Sequence, residues 1–179
     1  MKITVVGKGN VGGGLAGLWR NAGHDVQELG KEGGDASDSD AVLVAVPSGA
    51  IADALGKVSG LDGKIMLDAT NALEGRNDEY ESLAHEVKSI AGGPTAKAFN
   101  LNFANAYDKV AEQSERPSMP WCGEEKTRDV TEQLIRDAGY EPAPAGGLEN
   151  ARTLEDALSF IFAVRQQQPG TVLYRFWTP

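Results

Sequence analysis

Short runs of apolar residues alternate along this chain with longer stretches in which apolar residues recur every three or four positions. Residues 41–46 are apolar throughout, which predicts a strand buried on both faces, as in a parallel sheet covered by helices. Residues 2–6 form another short run, rich in β-branched side chains, and predict a second buried strand. Residues 10–22 place their apolar side chains on one face of a helix. The amino-terminal segment therefore predicts helices and buried strands in alternation.

The same alternation continues to the end of the chain. Further strands are predicted where short apolar or β-branched runs recur, at residues 25–29, 64–68, 96–99, 120–122 and 171–176. Further helices are predicted where apolar residues share one face: from Ser48, as the capping residue, through Val58, over residues 78–90 and 125–138, and from Thr153 through Arg165. Residues 30–40 and 112–120 are mostly polar and predict loops. This order predicts one α/β domain over residues 1–179, built on a doubly wound, mostly parallel sheet.

The composition limits where the protein works and what it binds. The chain has 26 acidic and 17 basic residues and a net charge of −9, which argues against nucleic acid or an anionic membrane as the main partner. The apolar runs are too short to span a bilayer, and the first residues lack the features of a secretion signal. The single cysteine, Cys122, cannot form an internal disulfide, which is typical of a reducing compartment. We therefore expect a cytoplasmic protein without a membrane partner.

A cluster of glycines follows the first predicted strand. Residues 7–12 are Gly-Lys-Gly-Asn-Val-Gly, which fits the G-x-G-x-x-G pattern of dinucleotide-binding turns in a Rossmann fold. The first glycine permits a tight turn, the second lets a pyrophosphate approach the backbone, and the third lets the helix pack on the strand. The residues predicted to bind the cofactor here, where the helix amino terminus favours phosphate, are Gly7, Gly9, Asn10, Val11 and Gly12. A glycine-rich turn without a ligand is the alternative, and closeness to the cofactor or to a neighbouring element would explain Gly13 and Gly14.

The end of the second predicted strand indicates which dinucleotide is bound. An acidic residue at this place holds the adenosine ribose in NAD-binding proteins. Here the strand leads into Gly30 and Lys31, so no carboxylate opposes a 2′-phosphate and a cation can attract it. Glu28, the nearest acid, points elsewhere if the strand alternates. These residues favour NADP over NAD. Lys8 and Ser37 are further candidates to contact the 2′-phosphate. The alternative is that Lys31 is an ordinary exposed loop lysine.

Two further segments end predicted strands at the same edge of the sheet. Val46, Pro47 and Ser48 follow one strand, and Thr70 and Asn71 follow the next. This edge lines the ligand crevice in open α/β sheets. The residues predicted to contact the nicotinamide half of the cofactor are therefore Val46, Pro47, Ser48 and Asn71. For Thr70 and Asn71, an ordinary turn is the alternative.

No side chain stands out as a general acid, a general base or a metal ligand. His24 lies in a turn away from the crevice edge, His85 lies off the apolar face of its helix, and Cys122 lies in a predicted strand. His24 and Cys122 are therefore predicted to be structural, and His85 is predicted to be solvated. Hydride transfer between two bound cofactors needs alignment and exclusion of water rather than a side-chain acid.

Several segments, taken in order, resemble one family: the deazaflavin-dependent NADP reductases, which join coenzyme F-420 to NADP, and their relatives. The resemblance covers nearly the whole chain, and the cytosolic reductase domain of membrane metalloreductases is similar as well. The most specific segments are Lys-Ala-Phe-Asn at residues 97–100 and Gly-Leu-Glu-Asn-Ala-Arg at residues 147–152. The other matching segments are residues 7–12, 23–26, 68–71, 121–124 and 154–155.

The resemblance implies NADPH at the glycine-rich turn, with a deazaflavin or flavin-like ring stacked on the nicotinamide. By motif match, Gly30 and Lys31 take the place of a serine-arginine pair around the 2′-phosphate. The residues that the resemblance places around the ring pocket are Asn71, Ala98, Phe99 and Asn100. The predicted function is NADP-dependent oxidoreduction, with hydride transfer between NADPH and a second planar redox carrier. The alternatives are a non-catalytic NADP(H)-binding sensor or regulatory module and a flavin or ferric reductase-like enzyme. A homodimer is expected, because a partner would close the open cleft of one such domain.

Overall fold

The computed structural model describes residues 1–168 and 170–177 of the chain. Within those residues, the strands are Lys2–Val6 (β1), Asp25–Leu29 (β2), Gly34–Asp35 (β3), Ala41–Val44 (β4), Val58–Ser59 (β5), Ile65–Asp68 (β6), Thr95–Ala98 (β7), Ser118–Gly123 (β8) and Glu141–Pro144 (β9). The helices are Asn10–Asn21 (α1), Ile51–Leu55 (α2), Leu83–Ala91 (α3), Tyr107–Val110 (α4), Arg128–Asp137 (α5) and Ala151–Gln167 (α6). Short 3-10 turns lead into the last three helices and α2, at Ser48–Ala50, Ala104–Ala106, Glu125–Thr127 and Leu148–Asn150. The predicted alternation of strands and helices is confirmed.

Seven strands of the described chain form one sheet, in the order β2-β1-β4-β6-β7-β8-β9. Neighbouring strands are parallel except β7 and β8, which run antiparallel with Lys97 opposite Cys122. The two-residue strands β3 and β5 pair with each other separately. The chain leaves β1 for β2 on one side and returns to β4 on the other side. The switch point of the topology, where a crevice opens, therefore lies between the carboxyl ends of β1 and β4.

Both faces of the sheet are buried. Along β4, Ala41 and Leu43 pack into a core that includes α1 and α5, whereas Val42 and Val44 pack into a second core with α2 and α3. This alternation between two cores is that of a central strand covered on both sides. The uniformly apolar run therefore has the predicted role, and the doubly wound, mostly parallel arrangement is confirmed.

Helix α1 packs against the sheet and against the last third of the chain. Trp19 is fully buried and contacts Phe99 edge to face, with ring centroids 5.6 Å apart. The indole N–H of Trp19 donates to the Leu134 carbonyl at 2.9 Å. Tyr107 of α4 approaches Gly14 so closely that a Cβ at Gly14 would lie 2.6 Å from its ring. A neighbouring element, rather than a cofactor, therefore explains Gly14.

Two helix starts differ from the prediction. Pro47 caps the turn before α2, and Ser48 makes no capping hydrogen bond, so the predicted capping role of Ser48 is wrong. Helix α3 begins only at Leu83, because the Ser82 hydroxyl accepts a hydrogen bond from the His85 backbone N–H at 3.2 Å. Both differences arise because a local hydrogen bond or a proline, not the apolar periodicity, determines where a helix begins.

The structure of the carboxyl-terminal third differs more from the sequence prediction. The sequence pattern does not predict β9 or α4, and α6 begins at Ala151, before the predicted cap at Thr153. Residues 171–176, predicted as a strand, are instead irregular. They nevertheless run along β8, because the Ser118 N–H donates to the Tyr174 carbonyl at 2.9 Å. The prediction of a strand is wrong there, although the segment makes a strand-like contact.

Candidate functional site

The candidate site lies at the carboxyl ends of β1 and β4, where the glycine-rich turn joins β1 to α1. Gly7 has a φ of +111°, and a Cβ there would lie 2.3 Å from the Ala45 carbonyl oxygen. A Cβ on Gly12 would lie 1.9 Å from the Gly7 carbonyl oxygen and 3.0 Å from Val5. The packing of the protein on itself therefore requires both glycines, one for the tight turn and one for the helix-strand contact.

Gly9 differs from its neighbours, because no protein atom requires it to be a glycine. Its φ of −76° is accessible to other residues, and a Cβ there would meet no protein atom within 4 Å. Gly9 caps α1 without a side-chain capping hydrogen bond, and the first turn carries no acidic residue. The first N–H groups of a helix have no partner within the helix. Asn10 and Val11 line the adjoining surface. This cradle fits an anionic ligand such as a pyrophosphate.

Two lysines and a carboxylate lie around Gly30, immediately after β2. A Cβ on Gly30 would lie 3.7 Å from Lys8 Nζ and 2.7 Å from a Glu32 carboxylate oxygen. Lys31 lines the same cleft as Lys8. Neither lysine forms an ion pair with any residue that the structure describes. Two unpaired cations therefore lie where a 2′-phosphate is predicted, together with a carboxylate that the sequence analysis missed.

Glu28 and Ser37 do not line the cleft that contains Lys8 and Lys31. Glu28 pairs with Arg20 of α1 at 2.8 Å, as expected for an acid that points away from the cleft. The Ser37 hydroxyl donates to the Asp35 carboxylate, and hydrogen bonds from Ser37 and Ser59 lower the pKa of that carboxyl. Ser37 is therefore occupied in a surface network of its own, and the structure does not favour it as a phosphate ligand.

The residues around the glycine turn line a cleft of about 780 Å³ that extends from Gly30 to the ends of β1 and β4. A recess of about 310 Å³ shares Gly9, Val46 and Pro47 with this cleft and continues to Asn71. The lining residues that the sequence analysis does not single out include Gly49, Ala50, Asp53, Ala54, Lys57, Leu73 and Glu74. They come from the first turns after β4 and from the loop after β6. These segments carry no motif, so only the tertiary structure shows that they reach the cleft.

The recess contains the residues predicted to contact the nicotinamide half. Val46, Pro47, Ser48 and Asn71 all line it. Ser48 is only 5% exposed, and its hydroxyl has no hydrogen-bond partner among the described residues. A buried hydroxyl costs free energy unless a ligand or a water molecule satisfies it. Ser48 therefore lines the recess while its hydroxyl oxygen is buried and unpaired among the described residues.

The predicted ring-pocket residues divide into two groups. Asn71 donates from Nδ2 to the Asn100 backbone carbonyl at 2.8 Å, and Asn100 donates from Nδ2 to Asn71 Oδ1 at 3.1 Å. Ala98 and Phe99 are buried in the core and line neither the cleft nor the recess. Phe99 has a φ of +65°, a strained value for a residue other than glycine, directly before Asn100. The structure therefore brings Asn71 and Asn100 together, but of the four residues only Asn71 lines the recess, and Asn100 is buried behind it.

His24 and Cys122 have structural surroundings, and the side chain of His85, which is predicted to be solvated, is 27% exposed. The His24 ring bonds with Asp137 at 2.7 Å, and the His85 ring bonds with Ser82 at 2.8 Å. Burial raises the pKa of the Cys122 thiol to about 12, so it carries little thiolate at neutral pH. In the described part of the chain, no group of three His, Cys, Asp or Glu residues could hold a metal ion. Over the same residues, no helix is long and apolar enough to cross a membrane.

The strand order, the switch point and the glycine turn define a Rossmann-like α/β fold. Neither a comparison with protein-family models nor a comparison with curated proteins gave a match. Among solved structures, the chain is similar to a proposed F-420-dependent NADP reductase from Arthrobacter sp. FB24, with a TM-score of 0.80 and 19% identity over 100% of this chain and 99% of that chain.

Two other structures share the fold. A hypothetical protein from Sinorhizobium meliloti is 22% identical, with a TM-score of 0.63 over 98% of this chain and 94% of that chain. A reductive aminase from Aspergillus terreus, solved in complex with NADPH and ethyl levulinate, is 14% identical, with a TM-score of 0.62 over 91% of this chain and 62% of that chain. At these identities the likeness shows a shared fold. It confirms, at that level, the resemblance that the sequence segments indicate.

Proposed function

We propose that this protein is an NADP-dependent oxidoreductase that transfers a hydride between NADPH and a second planar redox carrier, a deazaflavin such as coenzyme F-420 or a flavin. The observation that carries the proposal is the open space at Gly9, which lies in one cleft with the unpaired Lys8 and Lys31. A ligand with a pyrophosphate and a separate phosphate matches that pattern of groups. The reductase likeness in fold supports the same class of reaction.

The proposed cofactor lies along the cleft and ends in the recess. Its pyrophosphate would meet the amino terminus of α1, and its 2′-phosphate would lie between Lys8 and Lys31. The nicotinamide would lie in the recess beside Ser48 and Asn71. Leu73 is 72% exposed at the edge of that recess, so it offers an apolar contact for the ring of the second carrier.

The proposed reaction needs no side chain that acts as an acid or a base. When bound, NADPH would supply a hydride and would itself be oxidised to NADP⁺, and the carrier that accepts the hydride would take its further proton from solvent. The protein would contribute the alignment of two rings and the exclusion of water between them.

We further propose that the protein works in the cytoplasm and that a second copy closes the open cleft in a homodimer.

An absorbance assay tests the proposed reaction. Protein and NADPH are mixed in turn with coenzyme F-420, FMN, FAD and a ferric chelate, and the oxidation of NADPH is followed together with the reduction of the acceptor. We expect turnover with F-420 or a flavin. Tight NADPH binding without turnover on any acceptor would contradict the proposal and support an NADP(H)-binding sensor.

Changing Gly9 to alanine tests the cradle. The new methyl group meets no protein atom, so we expect the free energy of unfolding to change by less than about 1 kcal/mol. The methyl group occupies the space proposed for the pyrophosphate, so we expect the NADPH dissociation constant to rise about tenfold. Isothermal titration calorimetry and urea unfolding measure the two effects. Gly17→Ala, within the helix that Gly9 caps and equally free of neighbours, is the control. An unchanged NADPH affinity in Gly9→Ala would contradict the placement of the pyrophosphate.

A further inference from the structure

Four charged side chains meet in one cluster at the carboxyl ends of β6 and β7. Lys97 Nζ lies 2.6 Å from Asp68 Oδ2 and 3.1 Å from Glu155 Oε1. Arg76 Nε lies 2.7 Å from Glu155 Oε2. The side chains of Asp68, Lys97 and Glu155 are completely buried, and that of Arg76 is 18% exposed. We call these four residues the ion cluster.

The ion cluster balances its own charge. It contains two cations and two carboxylates, and Arg76 also bonds with Asp156 at the surface. Buried charges are stable only when they are paired and hydrogen-bonded, so the loss of one member leaves the others uncompensated. A network of this kind fixes the geometry of whatever is bonded to it.

The turn before Asn71 is bonded to the ion cluster. Lys97 Nζ donates to the Thr70 carbonyl at 2.7 Å. The Asp68 carboxylate accepts from both the backbone N–H and the hydroxyl of Thr70, at 2.8 and 2.6 Å. Thr70 is therefore held from both sides, directly before the asparagine that lines the recess.

The segment that follows, residues 72–82, is also held by Glu155. This carboxylate accepts from Arg76 within the segment and from the Leu83 N–H at its end, at 2.7 and 2.9 Å. The segment carries Leu73 and Glu74, which line the recess. Glu155 belongs to α6, so a residue from the carboxyl-terminal helix controls a loop from the middle of the chain.

Three members of the ion cluster lie in sequence segments for which the sequence predicts no function. Asp68, Lys97 and Glu155 come from three segments that resemble the deazaflavin-dependent NADP reductases, but no function follows for them from the motifs themselves. None of the three lines the cleft or the recess in the described structure. Their common neighbour is the Thr70-Asn71 turn.

We propose that Glu155, through Lys97 and Arg76, is a positioning residue that holds Asn71 and residues 72–82 in place for the nicotinamide half of the ligand. The inference rests on the proposed NADP(H) site. Glu155 lines neither the cleft nor the recess. It acts mainly on one half of the ligand, because Asn71 and Leu73 line the recess alone, and of the lining residues that it fixes only Glu74 also reaches the cleft that contains Gly30. A purely structural cluster would affect both halves alike.

The test compares NADPH with 2′-phospho-ADP-ribose, which is the same molecule without the nicotinamide. Dissociation constants for both are measured by calorimetry for the wild type and for Glu155→Gln, at a temperature below the unfolding transition of each. We expect Glu155→Gln to raise the dissociation constant of NADPH about fivefold to tenfold, which corresponds to the loss of one well-placed hydrogen bond. The dissociation constant of 2′-phospho-ADP-ribose should rise less than about twofold. Equal weakening of the two ligands, or no weakening of either, would overturn the inference.

Glu124→Gln is the matched control. Glu124 also bridges a backbone N–H and a cation, since it accepts from the Thr95 N–H at 2.9 Å and pairs with Lys88 at 2.7 Å, but it does so at the opposite end of β7. We expect it to change both dissociation constants by less than about twofold. A selective loss of NADPH binding in this control would overturn the inference. A wild type that binds neither ligand would overturn the proposed function itself, a result distinct from equal weakening.

A second variant covers the case in which Glu155→Gln does not fold. Arg76 lies at the edge of the ion cluster, so Arg76→Met leaves the pair of Lys97 with Asp68 intact. We expect the same selectivity with a smaller effect, about threefold on NADPH, and recovery of affinity in Arg76→Lys. Loss of both ligands in equal measure in Arg76→Met would overturn the inference.

Discussion

A Lys31→Glu variant is expected to bind NADPH about tenfold to a hundredfold more weakly than the wild type, while its affinity for NADH changes by less than about threefold. Lys31 is exposed in the cleft and has no ion-pair partner among the described residues, so its whole charge is available to a 2′-phosphate. The substitution replaces that attraction by repulsion and places a second carboxylate near Glu32. Calorimetry with both cofactors measures the effect, which should shrink at high salt because the site is exposed.

Lys126→Glu is the control for the change in net charge. Lys126 is also exposed and lies after β8, at the edge of the sheet opposite the cleft. Reversing its charge should leave both affinities nearly unchanged. If the wild type binds NADPH and NADH equally well, Gly30 and Lys31 do not select NADP, and the cofactor prediction is wrong.

A Gly12→Ala variant is expected to lose about 2–4 kcal/mol of unfolding free energy. Its Cβ would lie 1.9 Å from the Gly7 carbonyl oxygen, a backbone atom held in a tight turn, and 3.0 Å from Val5 in β1. Neither neighbour can rotate away as an exposed side chain could, so α1 has to move off the strand. Urea unfolding followed by circular dichroism measures the loss. NADPH affinity should fall as well, because the helix amino terminus moves with the helix.

Gly17→Ala provides the comparison within the same helix. Apart from its chain neighbours and the backbone of its own helix, no atom lies within 4 Å of its added Cβ, and alanine favours the helix by up to about 1 kcal/mol over glycine. One glycine-to-alanine change in α1 should therefore stabilise the protein while the other destabilises it. A Gly12→Ala protein as stable as the wild type would show that the contact between α1 and β1 is looser than the structure indicates.

Apolar runs predicted β1 and β4 because these strands are buried on both faces, and apolar periodicity predicted α1 because one face of it is buried. It failed at β9, whose sequence is Glu-Pro-Ala-Pro. The strand lies at the edge of the sheet, where prolines are tolerated because an N–H on the outer side has no partner to lose. Such a strand needs neither an apolar run nor β-branched residues, so the sequence carries no signal for it.

The candidate site was predictable where it is continuous in sequence. The glycine turn and the residues directly after β4 and β6 were found because strand ends share one edge of the sheet. Glu32 and Glu74 were missed, since exposed loop carboxylates look alike until the fold places them. Lys97 offered a usable signal, a charged residue inside an otherwise apolar strand, but its partner Glu155 lies on a distant helix.

The hydrogen bond from Trp19 to Leu134 bears on when α1 can fold during synthesis of the chain. It joins the helix that follows the glycine-rich turn to a residue 115 positions later. During synthesis, α1 therefore lacks a buried partner for its indole N–H and a cover for its apolar face until α5 has left the ribosome. We therefore expect α1 and the strand that precedes it to reach full stability only when the carboxyl-terminal third is present. A ligand that tightens the glycine turn would protect α5 as well, through the same contact.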